Sequence, residues 1–585
     1  MTDTATLDVV SASILRAKLE AAVRDMATTL ATTAHSSQLS TSRSFGCALL
    51  DADGSVVAID EPLHLPSVQE TSLQCLEYYR FDLASDDVIM TNDPYSGGSS
   101  LHYFTLVAPF GHEDDTVAYL VTRAHMPDIG GVVMGNYYPL AWELWQEGNR
   151  FTPMKIVVDG KRRRNAVDTI LLNGRDPEGF RGDLEATLAT LNVGRDRLRS
   201  LIHDYGLGAI TAAMSAGIEY SERVFRASLQ RIPEGSHSGT AILDHDGLGR
   251  ENLEVKVTLQ RAGDGLRLDF TGTEPQSAGF VNSPPANTRA FALLPLFGLV
   301  DESVPRNAGL LQAVEVITPE GTLVNPAYPA PTGWCHAHVG YEIAAAVGQA
   351  LAAALPDEAG LAHASQPLAF TVTKRQRIGG VEEQLGRTDY GQLSAPGANA
   401  TSHGDGWGVP GAAARALLPS VEEWESGTAA TIARLEYRTD SAGAGRFRGA
   451  PSTETVIRVR PGNDERLYAC VAGRDHPPQG LLGGLPALGA SLQLSSAADS
   501  TVEVQAVEID RPLAEGVELT IVAAAGGGWG DPRDRDPEAV RADVRDGYVS
   551  AEVAQRVYGV VADPDPVSVG GPATVTTDGD QRGGV

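Results

Sequence analysis

Most of what would announce a specific chemistry is missing from this sequence. Its 585 residues contain four cysteines, Cys47, Cys75, Cys335 and Cys470, and no two have CxxC spacing. A disulfide scaffold and a zinc ribbon are thereby excluded, and reduced thiols are the expectation. Basic residues are outnumbered, 46 Lys and Arg against 75 Asp and Glu, leaving a formal charge of −29. Nucleic-acid phosphates demand a basic surface, so a nucleic-acid partner is excluded. The single basic run, Lys161–Arg164, reads as a solvated turn. No apolar run approaches the ~18 residues that a membrane-spanning helix needs. The first twenty residues carry acids early, with no basic stretch ahead of an apolar core. Neither a membrane association nor a secretory signal is expected, and the location expected is cytoplasmic. A glycine-rich loop ending in Gly-Lys-Ser/Thr is also missing, so no P-loop handles ATP here.

What is present is the balance of a folded protein, 42% hydrophobic and 21% charged, long enough for roughly two to four cores. Apolar residues near helical spacing predict a helix over Asp8–Thr33. Strands are expected at Phe45–Leu50 and Val56–Ile59, joined by Asp51-Ala52-Asp53-Gly54, a hairpin turn rather than a calcium loop. Helices are expected at Leu184–Leu191, capped by Asp183, then Arg195–Tyr205 and Ile210–Leu229. After Pro233 the pattern turns to strands at Gly239–Asp244, Leu253–Gln260 and Leu266–Thr271, with an Ala-rich helix at Tyr341–Leu355. Small helices at Pro537–Asp546 and Ala551–Val557 precede a Pro-, Gly- and Thr-rich tail. The fold class expected is α+β with several lobes: an N-terminal α/β lobe with central helices (1–232), a β-rich C-terminal half (233–562) and a disordered tail (563–585).

Chemistry concentrates in Thr91–Gly131. A turn-rich run, Asn92–Gly98, leads to two apolar runs, Phe104–Phe110 and Val117–Ala124, split by Gly111–Asp115. This is a β-hairpin pattern, and in a hairpin the start of the first strand lies beside the end of the second. Ser99, Ser100 and His102 should therefore approach His125 and Asp128. Two chemistries fit. A Ser/His pairing would use Ser99 or Ser100 as nucleophile, His125 or His102 as base and Asp128 as orienter. A metal centre would use His125, His102 and Asp128 around a divalent ion such as Zn or Mn. Asp93, Tyr95 and Tyr103 are candidates to face substrate, and His64 is either a core histidine or a fourth such group. Trp334-Cys335-His336-Ala337-His338 has donors for zinc but lacks a fourth local ligand, so it reads as structural or substrate-facing.

Asn92-Asp93-Pro94-Tyr95-Ser96-Gly97-Gly98, followed by Arg123-Ala124-His125-Met126-Pro127-Asp128-Ile129-Gly130-Gly131, resembles the hydantoinase B/oxoprolinase family along nearly the whole chain. Asp440–Gly449 and Asn173–Pro177 continue the likeness. The resemblance implies a B-type subunit of an ATP-dependent cyclic-amide hydrolase, with ketone carboxylation or a degenerate scaffold as alternatives. It also implies a hetero-oligomer in which a hydantoinase A-like partner of actin fold takes up ATP and activates a small-molecule substrate. In carboxylating members a divalent metal is held at positions that fall here on Ser100, Tyr103 and His125. Serine and tyrosine are poor ligands at neutral pH, so that metal set is broken in this chain.

Overall fold

The computed structural model describes residues 8–113, 115–358, 367–376, 379–380, 382–408, 417–460, 464–496 and 501–562. The expected disordered tail, 563–585, lies outside the described residues. Helices and four sheets intermix, as an α+β fold requires.

The first sheet contains β1 (Phe45–Asp51), β2 (Val56–Ile59), β3 (Val88–Thr91), β4 (Tyr103–His112), β5 (Asp115–His125), β6 (Met154–Val158) and β7 (Lys161–Arg162). Its order is β2-β1-β5-β4-β3-β6-β7, and every neighbouring pair is antiparallel. Alternating side chains serve two cores. Phe45, Cys47, Leu49, Phe104, Leu106 and Leu120 pack on helices α1 (Val9–Thr33), α3 (Pro177–Tyr205) and α4 (Leu207–Leu229). Ala48, Leu50, Val107 and Val121 pack on α2 (Leu65–Tyr78). Burial on both faces is why these strands read as nearly unbroken apolar runs. Asp8 caps α1 by accepting from the backbone N–H groups of Val10 and Ser11.

Two helical expectations are corrected. Residues 184–191 and 195–205 belong to one helix, α3, which runs through Gly194 without a break. A Cβ there would come within 2.6 Å of Met26 Sδ and 2.9 Å of Leu120. Gly194 thus marks close packing, not a stop. Asp183 does not cap α3: it lies buried inside the helix, and its Oδ1 accepts from the backbone N–H groups of His35 (2.7 Å) and Ser36 (3.0 Å).

Beyond α4 the chain forms a sheet of β8 (Gly235–His245), β9 (Glu251–Ala262), β10 (Gly265–Asp269) and β11 (Val314–Ile317), in the order β11-β10-β9-β8. Helices α5 (Pro285–Leu293) and α7 (Gly340–Ala354) share its core, and the short helix α6 (Cys335–His338) precedes α7. The remaining strands make a two-layer sandwich. One layer holds β12 (Leu368–Gln376), β13 (Glu382–Asp389), β16 (Glu465–Cys470) and β19 (Val507–Leu513). The other holds β14 (Ala430–Tyr437), β15 (Thr453–Val459), β17 (Ser491–Ser495), β18 (Val502–Glu503) and β20 (Glu518–Val522). Leu467, Ala469, Ile457 and Ile521 interdigitate between them. A further apolar cluster, including Tyr137, Phe280, Trp334 and Phe370, joins the first sheet's loops to the later half.

Candidate active site

The hairpin expected around residues 104–124 is β4–β5, with Tyr103 opposite His125 at its open end. Alternation along β5 puts Arg123 and His125 on one face, and Tyr103 answers them from β4. His102 precedes the strand, in a turn closed by Tyr103 N–H donating to Ser100 O (3.2 Å), so its ring is free to lie 5.1 Å from that of His125. Trp334, in left-handed backbone at φ 57°, packs edge-on against both imidazoles at 5.5 and 5.4 Å. His336 stacks obliquely on Trp334 at 5.5 Å and faces Tyr103 at 5.9 Å. Residues more than 200 positions apart in sequence thereby form one buried aromatic and imidazole cluster.

The cluster ends a cleft of about 520 Å³ whose walls come from three parts of the chain. His125 belongs to the first sheet and Ser44 immediately precedes its strand β1, Phe291, Trp334, His336 and Tyr341 belong to the helical middle, and Asp389, Tyr437 and Thr453 to the sandwich. Burial sets the protonation states. It lowers His102 to about 3, with Arg387 and His336 adding to the effect. It lowers His336 to about 4, helped by Arg123, and takes His125 well below its ordinary value. All three are neutral at physiological pH. His125 Nε2, His336 Nδ1 and Trp334 Nε1 are buried and have no hydrogen-bond partner, an uncommon concentration of unmet polar atoms.

Of the nine residues singled out from sequence in and around the hairpin, His125 lines this cleft. Ser100 and His102 are brought together behind it, Nδ1 lying a long 3.4 Å from the hydroxyl. His102 Nε2 faces the Asn136 carbonyl at 3.3 Å, so Nε2 carries the proton and Nδ1 is the acceptor. Asp128 does not orient either imidazole. Its carboxylate accepts from the backbone N–H groups of Gly130 (3.1 Å), Gly135 (2.8 Å) and Arg175 (2.7 Å), and pairs with the Arg175 guanidinium at 3.6 Å. It is a loop brace, and this local demand for an acceptor is what the sequence did not reveal. Ser99 accepts from the Arg123 guanidinium. Tyr103 exchanges a 2.6 Å hydrogen bond with Ser44, beneath the Arg123 guanidinium.

Asp93 accepts from Tyr95 N–H (3.0 Å) and Ser96 O–H (3.0 Å), closing the Asn92–Gly98 turn. Tyr95 donates to the Ala330 carbonyl (2.6 Å), tying that turn to the middle of the chain. His64 stands behind Tyr103, ring to ring at 5.3 Å, at the start of α2. His336 was within reach of sequence reading through its Trp-Cys-His-Ala-His segment, whereas Arg387 and Asp389 carried no local signal. The arginines of the 440–449 run, Arg446 and Arg448, have residue types that could grip an anion. Arg448 instead pairs with Asp543 at 2.8 Å, and Arg446 lies over Phe447.

The residues do not fit the divalent ion that the resemblance implied. Tyr103 is hydrogen-bonded to Ser44 and burial raises its pKa, so it stays a neutral phenol. Both nitrogens of His102 face partners and Asp128 is occupied, which leaves His125 with an uncommitted nitrogen. Among the described residues no group of three or more His, Cys, Asp or Glu is arranged to hold a metal ion. Among them, too, no helix is long and apolar enough to cross a membrane.

Comparison with known proteins agrees with this architecture. The chain is 31% identical to the beta subunit of the caprolactamase of Pseudomonas jessenii over 95% of its own length and 97% of that protein's. It is 27% identical to the B-type subunit of a putative D-/L-hydantoinase from a Pseudomonas strain, covering 96% of each. The crystal structure of the ATP-dependent caprolactamase from Pseudomonas jessenii superposes with a TM-score of 0.83 at 29% identity, over 95% of this chain and 97% of that one. A nucleotide-free acetone carboxylase structure shares the fold, with a TM-score of 0.84 at 17% identity over 94% of this chain and 79% of that one. The family model for hydantoinase B/oxoprolinase matches residues 8–532, and the chain belongs to that family.

Proposed function

We propose that the chain is the B-type subunit of an ATP-dependent cyclic-amide hydrolase, acting on an intermediate that a separate actin-fold, hydantoinase A-like ATPase has activated. The observation that carries this reading is His125: a neutral imidazole whose buried Nε2 has no partner, in a residue that lines the cleft. A neutral, uncommitted imidazole is a general base ready for water. The caprolactamase and hydantoinase relatives support a ring amide as the bond at stake.

An unactivated lactam resists water because amide resonance stabilises it. Phosphorylation of its oxygen by the partner makes the ring carbon electrophilic. In the cleft, water adds to that carbon while His125 Nε2 takes its proton. The ring C–N bond then breaks as the nitrogen receives that proton, leaving an acyl phosphate, which a second water converts to carboxylate and phosphate. The apolar walls, Trp334, Phe291 and Tyr341 among them, exclude bulk water and hold the ring. His336 faces the same space and contributes a second neutral imidazole for hydrogen bonding.

Co-expression with a hydantoinase A-like partner, followed by assay of caprolactam, hydantoins and 5-oxoproline, tests the reading. Ring opening that needs both chains and ATP is expected. Bicarbonate-dependent carboxylation of a ketone with no ring opening would replace it with the carboxylase alternative, and no turnover of any of these with the scaffold.

A further inference from the structure

Arg387, on β13, is the largest unmet demand in the described structure. Its guanidinium lies flat over Phe370 at 3.9 Å and near Trp334 at 5.5 Å. Nε, Nη1 and Nη2 are all shut off from solvent without an acceptor, although the side chain as a whole is only half-buried. Stacking engages the face of a guanidinium and leaves its in-plane N–H donors unused. Nearby carboxylates do not meet the demand. Asp128 acts on Arg387 through space, but it is held by three backbone N–H groups and Arg175. Asp389 also acts on it through space, yet no acceptor atom reaches the guanidinium.

The position is built for this side chain. Gly135, at φ 74°, passes so close that a Cβ would come within 1.9 Å of Arg387 Cδ. Two residues along β13, Asp389 lines the cleft, so alternation sets Arg387 on the same side of the strand. On the far side of the imidazoles, Arg123 Nε and Nη1 are likewise buried without acceptors. Both arginines act electrostatically on His125. A buried cation with no hydrogen-bonded counter-charge is costly, and here two flank the proposed base.

We infer that Arg387, assisted by Arg123, forms an oxyanion subsite at the inner end of the cleft that seats the phosphoryl group of the activated intermediate. The subsite rests on the function proposed above for the identity of its anion, but not for its existence. A guanidinium presents paired donors that match two oxygens of a phosphoryl group. Seated there, the phosphoryl group places its ring carbon next to His125 and screens Arg387 from the imidazoles.

Inorganic phosphate titrated into the full chain by calorimetry, with glutarate as the carboxylate probe, tests this without partner or turnover. Phosphate should bind the wild type, weaken at least tenfold in Arg387→Gln, recover in part in Arg387→Lys and tighten in Asp389→Asn, which removes an opposing charge. Arg446→Gln, at an exposed arginine, should bind as wild type. Phosphate affinity equal in Arg387→Gln and wild type would overturn the subsite, and Arg387-dependent binding of glutarate but not phosphate would overturn the phosphoryl assignment. Should Arg387→Gln fail to fold, the Lys variant decides: a folded Arg387→Lys with unaltered affinity overturns the subsite, and a graded loss supports it. Arg387-dependent phosphate binding in a chain that opens no ring would leave the subsite standing and sink the hydrolase reading.

Discussion

His125 owes its reactivity to three separate neighbours. β4–β5 register fixes its backbone opposite Tyr103, Trp334 packs edge-on against its ring, and the Arg123 and Arg387 cations oppose its protonation. Replacing it with Ala should leave the fold intact, because its Nε2 bonds to nothing. Partner-dependent ring opening should fall by about 10²–10⁴, the usual loss on deleting a general base. Steady-state assay beside a thermal melt separates that loss from unfolding. A second residue-scale prediction concerns pH. His336 and His338 sit at about 4 and about 3 in the folded chain, chiefly through burial, against 6.5 when exposed. The unfolded chain therefore binds more protons between pH 6.5 and those values. Stability is fully present above pH 6.5 and falls by roughly 1.4 kcal/mol per unit for each group as pH drops through that window. Urea titrations at pH 7 and 5 should show the loss, and His336→Asn should lessen it.

Elements were legible where their pattern was local. The two apolar runs around residues 104–124, split by a polar turn, gave the hairpin, and helical spacing gave α1 and Ala-rich composition α7 nearly to the residue. The break expected between residues 191 and 195 and the Asp183 cap are absent because the residues there have tertiary roles: Gly194 packs close against Met26, and Asp183 braces a distant loop. Asp128 misled likewise, its acceptor demand coming from loop N–H groups that no spacing reveals. Asp183→Ala should strand the His35 and Ser36 N–H groups and cost about 2 kcal/mol, seen as a lowered denaturation midpoint. A value near zero would mean that water satisfies those groups.

At the scale of the molecule, the cleft exists because three regions meet, and which residues meet there is what the sequence hid. His125, His336 and Asp389 are far apart in the chain, and nothing local says that β13 closes over β5. The family resemblance supplied the reaction class, and the structure supplied the partners of each side chain. Assembly with an ATPase partner follows from the proposal. The complex should elute as a hetero-oligomer, and this chain alone should turn over no ATP. The central claim is that His125 performs the ring opening after activation has occurred elsewhere. Rapid-quench comparison of ADP formed and ring-opened product, in wild type and His125→Ala complexes with the best cyclic amide, tests it most directly. Phosphoryl transfer to substrate should persist in the variant while ring opening drops at least a hundredfold, so activated intermediate accumulates. Ring opening that keeps pace with wild type would contradict the account.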